Sequence, residues 1–399
     1  MELCYPGKKT VKEILEFTPL CNLRGEISSK NVLIKGENFT VLQELRKNYA
    51  NKIDLIYIDP PFSTNTTFTI GEKRVSTISM SNDDSVAYID NLKGFEFIEF
   101  IRKRLVVARE LLSDIGSIYL HIDYKIGHYI KVIMDEIFGM ENFRNDITRI
   151  KCNPKNFQRK AYGNIKDLIL FYSKTKNSIW NEPKLPFNEK DKEKLFKKID
   201  KNGRAYTTIP LHAPGETKNG ATSGLFKGMK PPKGRHWRCD PQELEELDRA
   251  GLIEWSSNGN PRKIIYADEK DGKKIQDIWE FKDYQYPDYP TEKNIDLLKL
   301  IISASSNEGS MVMDFFCGSG TTLIAAQELN RNWIGIDQSE QAIKITKRKL
   351  NSIEKTFFSD CNYSYLEAEI SNIKNNRQVQ LHIDKKHKKK HINHMEKYL

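Results

Sequence analysis

Paired cysteines are missing from this chain. Its six cysteines, at 4, 21, 152, 239, 317 and 361, show no C-x-x-C spacing, so a zinc site or a disulfide frame is not expected and reduced thiols are. No stretch approaches the ~20 uncharged apolar residues that span a bilayer. The start, Met1-Glu2-Leu3-Cys4, lacks the basic and apolar sections of a secretory leader. A cytoplasmic protein with no membrane partner is the expectation. No internal repeat is visible.

What is present suits a globular chain. With 399 residues, 38% hydrophobic and 30% charged, it can bury one large core or a core carrying an inserted subdomain. The net charge of +10 is uneven, because residues 371–399 hold eight Lys/Arg against two acids. The run Lys385-Lys386-His387-Lys388-Lys389-Lys390-His391 reads as a partly disordered basic tail. It serves either as a solvated end or as non-specific attraction to phosphates. His382, His387, His391 and His394 do not make a physiological metal site, and none is expected elsewhere.

Residues 1–30 form a lead-in without clear pattern. From Asn31, short apolar runs alternate with helical periodicity, as in an α/β fold with a parallel sheet. Val32-Leu33-Ile34 and Ile53–Ile58 read as strands. Phe95–Leu112 carries apolar residues on one face and is read as a core helix ended by Gly116, with a strand from Ile118 to Ile122 after it. Residues 176–280 lose this regularity and hold four of the five tryptophans, Trp180, Trp237, Trp255 and Trp279. So long an irregular stretch inside one domain reads as an insert. The pattern resumes over 281–355, and 356–399 is taken as the tail. The regular body is therefore split into halves, 31–175 and 281–355.

Two motifs carry the chemistry. Asp59-Pro60-Pro61-Phe62 follows the run Ile53–Ile58, and far downstream Asp314-Phe315-Phe316-Cys317-Gly318-Ser319-Gly320-Thr321 follows another strand. Glycines at a strand-to-helix turn let a ligand approach the backbone and the N–H groups of the helix start. No Lys follows Gly320, which disfavours a phosphate-cradling loop, and Leu323 replaces the third glycine of a dinucleotide fingerprint. Asp337, ending the run Trp333-Ile334-Gly335-Ile336, is placed to accept hydrogen bonds from ribose hydroxyls or to cap the next helix.

These motifs, in this order, resemble the β-group amino-methyltransferases of DNA, most closely adenine-N6 enzymes of bacterial restriction–modification systems. The resemblance implies a Rossmann-like S-adenosylmethionine-dependent core with permuted motif order, whose insert recognises the target site. It implies S-adenosyl-L-methionine at Asp314, Phe316, Gly318, Gly320, Thr321 and Asp337, with Glu37 and Asn38 near the adenine. Thr291 and Lys293 would hold the methionine end, although Asn294 stands where the family usually has proline. Asp59 and the Pro60 carbonyl would accept the N–H bonds of the target amine, with Pro60 and Pro61 fixing the backbone and Phe62 stacking on a flipped base. The resemblance also implies that Asp59 lies beside the cofactor.

In the family, transfer to cytosine carbon-5 uses a Pro-Cys thiolate, a dipeptide this chain lacks. Arg149 occupies a segment where the family commonly has a base-stacking tryptophan, with Phe157 or Tyr162 as stand-ins. In the insert, Arg235, His236 and Arg238 around Trp237 are the expected DNA contacts, while Trp237 itself serves equally well as subdomain core. Double-stranded DNA is the implied partner, with a cognate restriction endonuclease and a homodimer as further ones. Cytosine-N4 transfer on the same fold, a non-catalytic DNA-binding relative and a dinucleotide-dependent oxidoreductase are the competing readings.

Overall fold

The computed structural model describes residues 2–18, 21–61, 67–71, 74–76, 85–89, 94–154, 160–284, 292–353 and 362–370. The chain divides into two compact units, one of residues 1–181 with 276–399 and one of residues 182–275.

The first unit is built on a ten-stranded sheet. In chain order its strands are β1 (Cys21–Arg24), β2 (Val32–Lys35), β3 (Ile53–Ile58), β4 (Leu112–Ile122) and β5 (Phe143–Ile150). They continue with β6 (Lys166–Ser173), β7 (Ile278–Glu280), β8 (Met311–Asp314), β9 (Asn332–Asp337) and β10 (Ser364–Ile370). Across the sheet they run β1-β10-β2-β9-β8-β3-β4-β6-β5-β7. From β10 to β4 every neighbouring pair is parallel. β6 then runs against both of its neighbours. β3 is buried along nearly its whole length (Ile53, Leu55, Ile56, Tyr57 and Ile58), as a strand covered on both faces must be.

The unit's helices are α1 (Val11–Glu16), α2 (Asn38–Tyr49), α3 (Gly94–Leu111), α4 (Gly127–Phe138), α5 (Ile295–Ser305), α6 (Thr321–Glu328) and α7 (Glu340–Ser352). α3 buries Phe97, Ile98, Ile101, Leu105, Ala108 and Leu111, the stripe that its apolar spacing dictates. Its end differs from the sequence expectation. The helix stops at Leu111 and Gly116 lies inside β4, where the register against β3 jumps. A Cβ at Gly116 would sit 2.8 Å from the Ile53 carbonyl oxygen, so close backbone approach, not helix termination, requires this glycine.

Three boundaries also differ. The lead-in and the tail both contribute to the sheet, since β1 pairs antiparallel with β10 and β10 lies parallel beside β2. Ser364 ties them together, its Oγ accepting from the backbone N–H groups of Ser28 at 2.9 Å and Ser29 at 3.0 Å. Residues 276–280 belong to the main sheet through β7, whose Trp279 pairs in register with Arg149. Trp180 likewise lies in the first unit, its ring 6.0 Å from that of Phe171. The polar stretch after β3 contains a three-stranded antiparallel piece, Thr67–Gly71, Arg74–Ser76 and Ser85–Ile89.

The second unit, residues 182–275, has its own four-stranded antiparallel sheet of Lys198–Ile199, Ala205–Pro210, Pro261–Tyr266 and Ile253–Trp255. Its helix Pro241–Arg249 is capped by Asp240, whose side chain accepts from the Glu243 N–H. A small core of Leu211, Phe226, Trp237 and Leu244 holds it together. Trp237 is 1% exposed and its indole N–H donates to the Gly224 carbonyl at 3.0 Å, so it is core. Trp237→Ala is expected to destabilise this unit by about 3–5 kcal/mol. Calorimetry should show that loss as an early melting transition, with the first unit still melting at its original temperature.

Candidate functional site

Four strands of the first unit, β2, β9, β8 and β3, lie side by side and parallel, so their carboxyl ends share one edge. The next residues after β3 and β8, or their last residues, are the carboxylates singled out from sequence. Asp59 follows Ile58 and Asp314 ends β8, and these two strands are direct neighbours. Asp337 ends β9 on the other side of β8. The edge of an open parallel sheet is where a ligand crevice forms.

The glycine turn is held by both of its neighbouring acids. Asp314 accepts from the Phe316 N–H at 2.9 Å and from the Thr322 hydroxyl at 2.6 Å. Asp337 accepts from the Gly318 N–H at 2.9 Å and from the Ser339 N–H at 2.8 Å. Burial raises the pKa of both carboxyls, Asp314 to about 7. Gly318 and Gly320 take φ of 50° and 78°, left-handed backbone that favours glycine. A Cβ at Gly320 would lie 2.6 Å from the Thr346 methyl on α7. The Thr346 hydroxyl donates to the Gly318 carbonyl at 2.9 Å, so loop and helix are locked. Thr321 opens α6, buried, with its hydroxyl 3.2 Å from that of Ser319.

Glu37 and Asn38 support this turn from α2. Glu37 caps the helix, accepting from the N–H groups of Phe39 at 3.0 Å and Thr40 at 2.8 Å, and pairs with Arg104. Asn38 donates to the Phe315 carbonyl and accepts from Arg104 Nε, both at 2.6 Å. Arg104 stacks 3.5 Å from the Phe100 ring centroid, and Phe100 in turn lies 6.1 Å from Phe316. Burial lowers the pKa of its guanidinium to about 10, which leaves it charged at neutral pH. Arg104 was not singled out from the sequence. The available clue was arginine, at Arg102 and Arg104, among the apolar residues of α3, where both are buried.

On the other side of β8, Asp59 is braced by an ion pair. Lys293 Nζ lies 2.5 Å from Asp59 Oδ2. Asp59 Oδ1 is buried and has no hydrogen-bond partner among the described residues. Pro60 is buried and Pro61 half-buried, and no peptide bond here is cis. Lys293 was expected at the cofactor's carboxylate, whereas here its ammonium meets Asp59. Thr291 and Phe62 lie outside the described residues, as does Phe157. Tyr162, the other suggested stand-in for a stacking aromatic, is fully exposed. Arg149 is fully buried and clips the chain leading to Lys293, donating to the Phe281 carbonyl at 2.8 Å and to Asp283 Oδ1 at 2.6 Å.

In the second unit, Arg235 and Arg238 are exposed and His236 is half-buried. Arg235 donates to His212 Nδ1 at 3.1 Å, and His236 Nδ1 lies 2.7 Å from the Gly215 carbonyl oxygen. Among the described residues no group of His, Cys, Asp and Glu is arranged to hold a metal ion. Among them, too, no helix is long and apolar enough to cross a membrane.

Parallel strands that gather a glycine turn, the buried carboxylate of Asp314 and the half-buried ones of Asp337 and Asp59 at a single edge define a Rossmann-like, cofactor-dependent transferase core. Residues 53–348 match a family model described as DNA methylase, and residues 306–398 match one described as Methyltransferase domain. The chain is 40% identical over 361 residues to the Type II methyltransferase M.EcaI of Enterobacter cloacae, covering 87% of this chain and 77% of that protein. It is 27% identical over 362 residues to the Type III restriction-modification enzyme StyLTI Mod subunit of Salmonella typhimurium, covering 81% of this chain. There it spans only 54% of the relative's length. The crystal structure of an M1.HpyAVI–SAM complex aligns with 80% of this chain and 99% of its own at a TM-score of 0.42 and 17% identity. The chain belongs to the DNA methylase family, and its methyl donor is S-adenosyl-L-methionine.

The residues present fit that donor. The side-chain-free turn at Gly318 and Gly320 gives backbone access, and the Asp337 carboxylate beside it, oriented by backbone N–H groups, is an acceptor suited to a hydroxyl.

Proposed function

We propose that this chain is a site-specific adenine-N6 methyltransferase acting on a base extruded from duplex DNA. The observation that carries the reading is Asp59 Oδ1, a buried carboxylate oxygen without a partner among the described residues, on the strand next to the glycine turn. An unsatisfied buried acceptor costs about 1–3 kcal/mol, a cost accounted for when a ligand donor fills it. The exocyclic amine of adenine is a poor nucleophile because its lone pair is delocalised into the ring. Asp59 Oδ1 accepting one N–H and the Pro60 carbonyl accepting the other localise that lone pair on nitrogen. Lys293 holds Oδ2, which fixes the carboxylate's direction. S-adenosyl-L-methionine, when bound, supplies the electrophilic methyl. Positioning and electrostatics do the remaining work. An amine inside a duplex is out of reach of this edge, which is why base extrusion belongs to the proposal.

The second unit is the proposed target reader, with Arg235, His236 and Arg238 toward the DNA and the exposed arginines as base or phosphate contacts. Relatives that are Mod subunits or type II methyltransferases of restriction–modification systems support a cognate endonuclease as a cytoplasmic partner. Single-molecule sequencing of DNA from cells expressing the chain tests the whole reading. N6-methyladenine in one short sequence context is expected. N4-methylcytosine would transfer the function to the alternative base, and unmodified DNA would overturn it.

A further inference from the structure

Behind Asp59 lies a polar chain that the reaction scheme above does not use. His121, fully buried on β4, places Nδ1 4.0 Å from Asp59 Oδ1 and 3.0 Å from the Tyr57 hydroxyl on β3. Its Nε2 lies 3.4 Å from Asp167 Oδ2 on β6. Asp167 is almost fully buried and is held as an anion by Lys151, at 2.7 Å from Oδ1, and by Arg149, at 3.8 Å from Oδ2. Burial pushes the Tyr57 phenol well above its ordinary range, so Tyr57 keeps its proton and is a donor. A carboxylate can only accept. Of the two neutral tautomers, only the one with hydrogen on Nε2 satisfies both neighbours at once.

We propose that His121 is a positioning residue for Asp59. With Tyr57 donating into Nδ1 and Nε2–H donating to Asp167, the neutral ring offers no proton to Asp59 Oδ1 and so keeps that oxygen open for the amine of the target base. A protonated ring would place an Nδ1–H and a positive charge between the Tyr57 hydroxyl, at 3.0 Å, and Asp59 Oδ1, at 4.0 Å, and so compete with the substrate amine for that carboxylate. This inference rests on the assignment of Asp59 as the amine acceptor, and it explains why the adjacent imidazole leaves Oδ1 unsatisfied.

The charges around the ring determine when it fills this role. Burial lowers the pKa of His121, and the ammonium of Lys293 adds to the lowering. Asp167 and Asp59 act in the opposite direction. The imidazolium forms only as pH falls below the ordinary histidine range, so turnover is retained at neutral pH and lost on the acid side.

Two substitutions should move that acid limb in opposite directions. Tyr57→Phe removes a hydrogen bond that only the neutral ring accepts, so the His121 pKa rises. Asp167→Asn removes the anion that favours the imidazolium, so it falls. We expect the acid limb of kcat to move up by about one pH unit in Tyr57→Phe and down by a comparable amount in Asp167→Asn. Cofactor affinity at neutral pH should stay unchanged in both. NMR titration of the His121 ring should track the limb in wild type and Tyr57→Phe. Asp167→Asn leaves Lys151 and Arg149 without their buried anion. If that variant does not fold, the conservative Tyr57→Phe decides by itself. A limb unmoved in Tyr57→Phe, or a His121 titration that departs from it, would overturn the proposal. An Asp59→Ala enzyme that still turns over would instead remove the reading on which it rests.

Discussion

Asp59→Ala abolishes methyl transfer, with kcat expected to fall by at least about a thousandfold, the scale on which losing one preorganised electrostatic contact registers. Both oxygens act. Oδ1 is the open acceptor, and Oδ2 holds Lys293 at 2.5 Å. Removing the carboxylate also leaves the Lys293 ammonium, nearly buried, without this ion pair. Some loss of stability is therefore expected, on the order of a few kcal/mol. The affinity for S-adenosyl-L-methionine should change less than about fivefold, because the glycine turn and Asp337 do not depend on Asp59 for their hydrogen bonds. Tritium transfer to DNA and calorimetric titration of the cofactor, both below the variant's melting temperature, measure the two effects separately. Turnover retained in the alanine variant would remove Asp59 from the chemistry.

Gly318→Asp is the second large effect, and it acts on binding. The residue sits at a φ of 50° and donates its N–H to Asp337. Aspartate tolerates left-handed backbone better than most side chains, so strain contributes only about 1 kcal/mol. Charge contributes more. A new carboxylate would join Asp314 and Asp337, whose pKa values burial already raises. We expect cofactor affinity to fall by at least about a hundredfold, since the new side chain fills the approach to the turn's backbone and its repulsion from the neighbouring acids displaces the turn. Gly318→Asn serves as the neutral control and should bind within about tenfold of wild type. Unaltered affinity in the aspartate variant would place the cofactor elsewhere.

Much of the site could be read before any coordinates. An apolar run buried on both faces must end at the sheet edge, so the residues just beyond Ile53–Ile58 and Met311–Asp314 had to reach a crevice if the two strands were parallel. Glycine spacing marked the turn, because Gly320 leaves no room for a side chain beside Thr346. The sequence did not reveal β1 or β10. β1 is a four-residue edge strand that gains its place only by pairing with β10, and β10 is placed by pairing with β2 on one side and β1 on the other. The insert's limits were misjudged for a related reason, as β7 is three residues long and gains its place only by pairing with β5.

By itself the sequence determined the chemistry on offer: an acid before two prolines, an acid before a glycine turn, and a fold in which both lie at strand ends. That much follows from local rules of burial period and backbone freedom, which act over a few residues. Tertiary structure alone decided the partners. Lys293 meets Asp59 across more than two hundred residues of chain, and Arg149 reaches Asp283. His121 stands between Tyr57 and Asp167 because β3, β4 and β6 are neighbours in the sheet. Ion pairs and hydrogen bonds depend on distances of a few ångströms in space, and strand order sets those distances whatever the separation along the chain.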